Sequence, residues 1–201
     1  MATKTTDTCT RCAILRQAAR LFAQRGYDAV SVREIVEAAG CTKPSLYYHF
    51  GSKEGLAQAL IGEFTAAAVA ARNQAFEEAE DAEDAFVRFG REMLKLAVQF
   101  KDTLAFGFSI WFGRSSLRSL VRHVEDTDKQ AYAAWAEALV RLGLAPALAM
   151  PAVRSFWAML MHELMQVVAC PRWEGDAEEL SQTIATVVMH GVLSLHHVRK
   201  K

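Results

Sequence analysis

The sequence predicts an all-α protein of about nine helices, a small three-helix head followed by a larger helical body. Three observations predict it. Apolar residues recur at three- and four-residue spacing along most of the chain. Only 11 Gly and 4 Pro interrupt 201 residues rich in alanine, which favours helices joined by short loops. Hydrophobic residues make up 52% and charged residues 23%, enough apolar side chain for a packed core and too much for bulk disorder.

The elements follow in order. Over residues 10–25, Ile14, Ala18, Leu21 and Phe22 share one face, and Arg11, Arg16, Arg20 and Gln24 lie on the other. Gly26 then suits a left-handed cap. Ser31-Val-Arg-Glu34 is a capping box, opening a helix that buries Val32, Ile35, Val36 and Ala39 and stops at Gly40. Thr42 caps a third helix running to about Phe50, with Pro44 tolerated in its first turn. Ser52 caps a long fourth helix to about Gln74. The acidic stretch from Glu77 to Asp84 reads as a solvated helix junction. A helix over 84–100 carries Phe86, Phe89, Met93, Leu96 and Phe100, and the aromatic run 104–112 is expected to be fully buried. A further helix over 115–142 carries Leu117, Leu120, Val124, Ala131, Trp135, Leu139 and Leu142.

The last two helices, 151–169 and 177–197, are the most regular. Val153, Trp157, Leu160 and Leu164 on one, and Leu180, Ile184, Val187, Gly191 and Leu195 on the other, alternate four- and three-residue steps. That spacing belongs to helices packed at about +20°. The pattern leaves open whether the seam is filled within one chain or by a second copy.

Charge is divided unevenly although the net is zero. Residues 1–55 hold eight Lys/Arg against five acids, and the remainder holds fifteen against eighteen. The small head is therefore basic and the body mildly acidic. Two short helices joined by a Gly-containing turn fit a helix-turn-helix. Inside the second of them, Leu46 and Phe50 face inward, leaving Lys43, Pro44, Ser45, Tyr47, Tyr48 and His49 for the outside or its edges. Packing alone does not call for two tyrosines, a histidine and a lysine on one short helix. Those donors suit a phosphate-lined groove, and Ser52 and Lys53 stand where a helix N-terminus also favours an anion.

Residues 11–60 resemble the N-terminal DNA-binding domain of the TetR family of bacterial transcriptional regulators. The resemblance is carried by Ala18-Ala-Arg-Leu-Phe22, Gly26-Tyr27, Ser31-Val-Arg-Glu-Ile35, Ala39-Gly40, Ser45-Leu-Tyr-Tyr-His-Phe50, Ser52-Lys53-Glu54 and Leu56, in order and at the expected spacing. It implies a helix-turn-helix domain with a short N-terminal arm over 1–51, and a helical ligand-binding and dimerisation domain over 52–201. It implies that Lys43, Pro44 and Tyr47 face base edges in the major groove and that Arg33 can reach a base. Thr42, Tyr48, His49 and Lys53 become phosphate contacts, and Ser45 serves either purpose. Cys41 departs from the family pattern, which has an aliphatic residue there; we read it as a small buried hydrophobe, with oxidant sensing as the alternative.

The resemblance further implies a homodimer through the final two helices, with Val153, Trp157, Leu160, Leu164, Leu180, Ile184, Val187, Gly191 and Leu195 at the interface. The expected partners are a double-stranded DNA operator, a second copy of the chain and a small effector. Phe86, Phe89, Met93, Phe106, Trp111, Trp135, Trp157 and Met161 can line an apolar cavity or serve as plain core, with His162 and Glu163 the polar groups nearest to it. No deep cationic cluster is evident, so a small apolar or aromatic effector is expected.

Other chemistries lack their motifs. Cys9-x-x-Cys12 has no second ligand pair for zinc, and His162-Glu-Leu-Met-Gln166 lacks the closing histidine of a zinc protease. No GxSxG, Walker loop or GxGxxG occurs, so neither an enzyme nor a cofactor or metal is expected. The polar N-terminus has no signal-peptide core and no apolar run approaches the ~18–20 residues of a membrane span, so a cytoplasmic chain with reduced cysteines is expected. The leading expectation is a repressor on a near-palindromic operator, released by its effector through the fourth helix. The rival is a helical ligand-binding or adaptor protein with a vestigial head.

Overall fold

The computed structural model describes the backbone of residues 3–113, 116–117 and 131–198. Within these, side chains are described from Thr10 onward, except at 192, 193 and 195–198. Among the described residues the regular structure is all helical, without strands: α1 (Thr3–Arg25), α2 (Val32–Ala38), α3 (Lys43–Phe50), α4 (Lys53–Glu78), α5 (Ala82–Gln99), α6 (Lys101–Phe112), α7 (described over 131–141), α8 (Pro146–Ala169) and α9 (Ala177–Val198). None of the described helices is long and apolar enough to cross a membrane. Of the expected 115–142 helix, the stretch 118–130, with Leu120 and Val124, lies outside the described residues.

Two compact units form. The first combines Met1–Ala66 with Phe100–His123. Its core joins Ile14, Ala18 and Phe22 of α1 to Ile35 and Val36 of α2, Leu46 of α3 and Leu56 and Leu60 of α4. α6 completes it with Phe106 and Ile110, and Leu117 follows. The Phe106 ring sits 4.9 Å from that of Phe22. Packing thus adds to the head an element the 51/52 sequence boundary leaves in the body. α6 is also less buried than expected: Leu104, Phe106 and Ile110 are enclosed, but Trp111 is 39% and Phe112 70% exposed. An α-helix turns every ~3.6 residues, so a run of consecutive aromatics cannot all face one core.

The second unit comprises Ala67–Gln99 and Val124–Lys201, with α5, α8 and α9 packed on one another. Phe86 stacks on Phe156 with centroids 4.2 Å apart, and Met93, Val153, Leu160, Leu164, Ile184 and Val188 are buried in the same unit. α5 and α9 approach closely at Gly90, where an added Cβ would lie 2.6 Å from the Ser181 hydroxyl oxygen. That hydroxyl is fully buried and donates to the Val87 carbonyl. The acidic junction has a structural task. Asp81 accepts from the Asp84 N–H at 2.9 Å, while Asp84 accepts from Glu80 N–H at 3.0 Å, so two carboxylates close the start of α5.

Candidate nucleic-acid interface

The geometry of the α2–α3 corner follows from local chemistry. At the start of α2, Ser31 Oγ accepts from Glu34 N–H at 3.3 Å and Glu34 Oε2 accepts from Ser31 N–H at 2.8 Å, the reciprocal box expected from sequence. Arg25 adds a third partner to that carboxylate at 2.5 Å. The Ser31 backbone N–H first, then its hydroxyl, then Arg25, hold the Glu34 carboxyl down to about 2.

At the far end, Gly40 stands at φ +63°, a left-handed conformation that side chains rarely adopt. Its N–H donates to Glu37 O at 3.3 Å, and Cys41 N–H donates to Val36 O at 2.9 Å. These are the two bonds of a Schellman cap, which turns the chain sharply into α3. The cap also accounts for Cys41: a residue in that position packs back on the helix it ends. Cys41 is half-buried against the head core, and burial pushes its thiol pKa up, away from reactive thiolate. Cys12 is a free, exposed thiol, and the Cys9 side chain lies outside the described residues.

α3 rests on Leu46, which is fully buried, with Phe50 partly buried beside the same core. Its other faces are open. Thr42, Lys43 and Pro44 are exposed, Ser45 is half-buried, and Tyr47 and Tyr48 are 47% and 77% exposed. Among the described residues, no ion pair involves Lys43. Arg33 is exposed on α2 with its Nε 2.7 Å from Glu37 Oε1, one turn along. Two of the expected phosphate contacts are placed differently. His49 is half-buried, its ring edge-on to Tyr48 at 5.1 Å and 6.0 Å from Phe50.

Lys53 departs furthest from expectation. Its ammonium donates to the Tyr27 carbonyl at 2.5 Å and lies 4.0 Å over the Tyr27 ring and 5.9 Å from Phe22. Burial lowers its pKa, with Asp28 and Glu34 partly opposing. It clamps the start of α4 to the α1–α2 turn instead of projecting outward. On the other side of that turn, Asp28 accepts from both the Ser116 hydroxyl, at 2.5 Å, and its N–H, at 3.3 Å. Sequence reasoning misses Tyr27 and Asp28 as framework residues, because their partners are far along the chain.

The residues expected around a cavity divide between the units. Phe86, Phe89, Met93 and Trp135 are buried in the second, with Trp157 and Met161 half-buried. Phe106 and Trp111 belong to the first unit instead, since α6 packs on α1. His162 is exposed, 3.5 Å from Gln166 on the same helix face, and does not line the aromatic cluster. Two open clefts of about 340 and 430 Å³ in the second unit, one beside Asp81, Arg88 and Glu178 and one beside Val140, Pro146 and Met150, contain none of these residues.

The expected interface residues are likewise sorted. Val153, Leu160, Leu164 and Ile184 are already buried within the chain, which fills that seam with α5. Trp157 and Leu180 are half-buried, and Leu195 lies outside the described side chains. Val187, at 53% exposure, and Gly191 remain open.

Comparison with known proteins supports the reading of the head. Residues 14–60 match the family described as "Bacterial regulatory proteins, tetR family". Among curated relatives, the HTH-type transcriptional repressor ComR of Escherichia coli (strain K12) is 44% identical over 54 residues, 27% of this chain and 26% of that protein. The match thus spans about a quarter of that relative's length. The whole fold is also shared. The TetR family transcriptional regulator PfmR from Thermus thermophilus superposes with a TM-score of 0.67 at 25% identity, over 88% of this chain and 97% of that one. A TetR-like transcriptional regulator from Rhodococcus sp. RHA1 gives 0.71 at 18% identity, over 92% and 96%. The capped helix-turn-helix head over residues 14–60 thus matches the N-terminal domain of the tetR family of bacterial regulatory proteins, and the all-helical fold that carries it is similar to those of solved TetR-family regulators.

Proposed function

We propose that this chain is a homodimeric transcriptional repressor that binds a near-palindromic operator and is released by a small apolar or aromatic effector. The carrying observation is α3, held by Leu46 on a rigid core while Lys43, Pro44, Tyr47 and Tyr48 face outward. In the major groove, Lys43, Pro44 and Tyr47 read base edges and Thr42 and Tyr48 meet phosphates, with Ser45 in either role and His49 at the edge. Arg33 reaches a base after exchanging Glu37 for guanine, whose two acceptors match its fork. Lys53 acts indirectly, by holding the turn that orients α2.

A dimer would present two such helices to successive major grooves about 34–36 Å apart. The open faces of α8 and α9 offer Arg154, Ala158, His162 and Met165 on one helix and Val187 and Gly191 on the other, at the spacing of a helical stripe. α4 runs without interruption from the head unit into the body unit, which suits it to carry an effector's influence. The functional division at 51/52 is retained on these grounds: residues 1–51 read DNA, and 52–201 bind effector and partner.

Selection from a pool of random duplexes tests the proposal. Enrichment of a near-palindrome, bound more weakly as salt rises, is expected. Lys43→Ala should blur the selected sequence while leaving most of the affinity at low salt. No enrichment at low salt would overturn the proposal in favour of an adaptor with a vestigial head.

A further inference from the structure

Trp135, on α7, is the hub of an aromatic cluster. Its ring lies 5.0 Å from Phe89, 5.6 Å from both Tyr132 and Trp157, and 6.5 Å from Phe76. It is 6% exposed, yet its indole Nε1, wholly buried, has no hydrogen-bond partner among the described residues. A buried donor without an acceptor is uncommon in a native fold, because it forfeits its hydrogen bond to water without replacement. Tryptophan is also a poor choice for filling space alone, since phenylalanine supplies the ring without the polar atom. Three of the rings around it (Tyr132, Trp157 and Phe76) are only half-buried, so each keeps part of its surface exposed.

We infer that the Trp135 N–H is the hydrogen-bond donor of an effector site, one taking an aromatic or apolar molecule that carries a neutral acceptor oxygen, a carbonyl or an ether. The inference rests on the effector-responsive reading above and adds to it the chemistry of recognition. The surrounding rings supply apolar contact and edge-to-face packing. The single donor fixes orientation, as the few polar groups of an otherwise apolar pocket do. None of the four ring partners is charged, so a neutral oxygen fits better than a carboxylate, whose burial without a counter-charge is costly. Entry requires Tyr132 and Trp157 to swing aside, a change their partial exposure permits.

The test uses the full chain and two probes of nearly equal shape, 2-acetylnaphthalene and 2-isopropylnaphthalene, titrated by calorimetry. The wild type is expected to bind the ketone about five- to tenfold tighter, the range set by one hydrogen bond to an otherwise unsatisfied donor. Trp135→Phe should erase that preference while keeping the weaker affinity, and Trp157→Phe should lower both affinities and keep it. In wild-type protein labelled with ¹⁵N at tryptophan, the Trp135 indole resonance, identified by its loss in the variant, should move downfield with the ketone alone. That readout does not depend on the variant's stability.

Equal binding of the two probes, or a preference that survives Trp135→Phe, overturns the donor role while leaving the cluster a site. Binding of neither probe overturns the site. Operator selection, run separately, shows whether the regulator reading falls with it.

Discussion

Replacing Lys53 by Met keeps the aliphatic stem and removes the ammonium, separating a structural clamp from a phosphate anchor. Two contacts are lost, the bond to the Tyr27 carbonyl at 2.5 Å and the position 4.0 Å above the Tyr27 ring. A hydrogen bond from a charged donor contributes about 1.5–3 kcal/mol. A cation over an aromatic face adds about 0.5–1 kcal/mol at a partly exposed site. The cost of burying the ammonium, visible in its lowered pKa, opposes both and is relieved by the substitution. A net destabilisation of about 1–2 kcal/mol remains, and the methionine retains the stem's packing. For a chain of this size that lowers the melting temperature by roughly 3–6 °C. The assay is a circular dichroism melt, paired with operator affinity measured across salt concentrations well below the transition. An inward clamp predicts the lower melt with an unchanged salt slope. An unaltered melt with the slope reduced by about one, the signature of a lost phosphate contact, would refute the clamp.

Gly40→Ala meets no neighbour within 4 Å, so its cost comes only from the backbone at φ +63° and should be about 1–2 kcal/mol by denaturant titration, with Gly40→Asn less harmful. Equal stability of Ala and Gly at this position would contradict the cap. Gly90→Ala forces a methyl to 2.6 Å from Ser181 Oγ and should cost about 1–3 kcal/mol, whereas the double change with Ser181→Ala should recover part of it. Full additivity of the two changes would argue against contact there. The Glu34 carboxyl should titrate at about 2 by NMR instead of the ordinary 4.5. Because folding lowers its pKa, its stabilisation is complete above about 4.5 and disappears as pH falls through about 2. A midpoint near the ordinary value would remove the capping network.

What is legible in the sequence is local. The Ser31–Glu34 box and the stop at Gly40 are each set by residues within one or two turns, so their partners are already written alongside them. The inward pairing of Leu46 with Phe50 belongs to the same class. The Lys53 clamp joins residues 26 positions apart, and a lysine after a helix cap carries no sign of which way its stem will fold. Periodicity identifies Val153, Leu160, Leu164 and Ile184 as one apolar seam, but a period reveals that a face is covered and not what covers it; here α5 does. Nearness in sequence and composition groups Phe106 with Phe86 and Phe89. The chain's path separates them by folding α6 onto the head. That the Trp135 indole has no hydrogen-bond partner among the described residues cannot be read from sequence, because it depends on every neighbour at once.

The place of Phe106 and Ile110 beneath α1 has a consequence for biosynthesis. When the first sixty-six residues leave the ribosome, the groove that will receive α6 still lacks its occupants, and Phe22 lacks the Phe106 ring that packs on it. The nascent head can acquire its helices in order but closes only after about fifty further residues have emerged and Ser116 can reach Asp28. A product that terminates before α6 therefore carries a head whose core is incomplete.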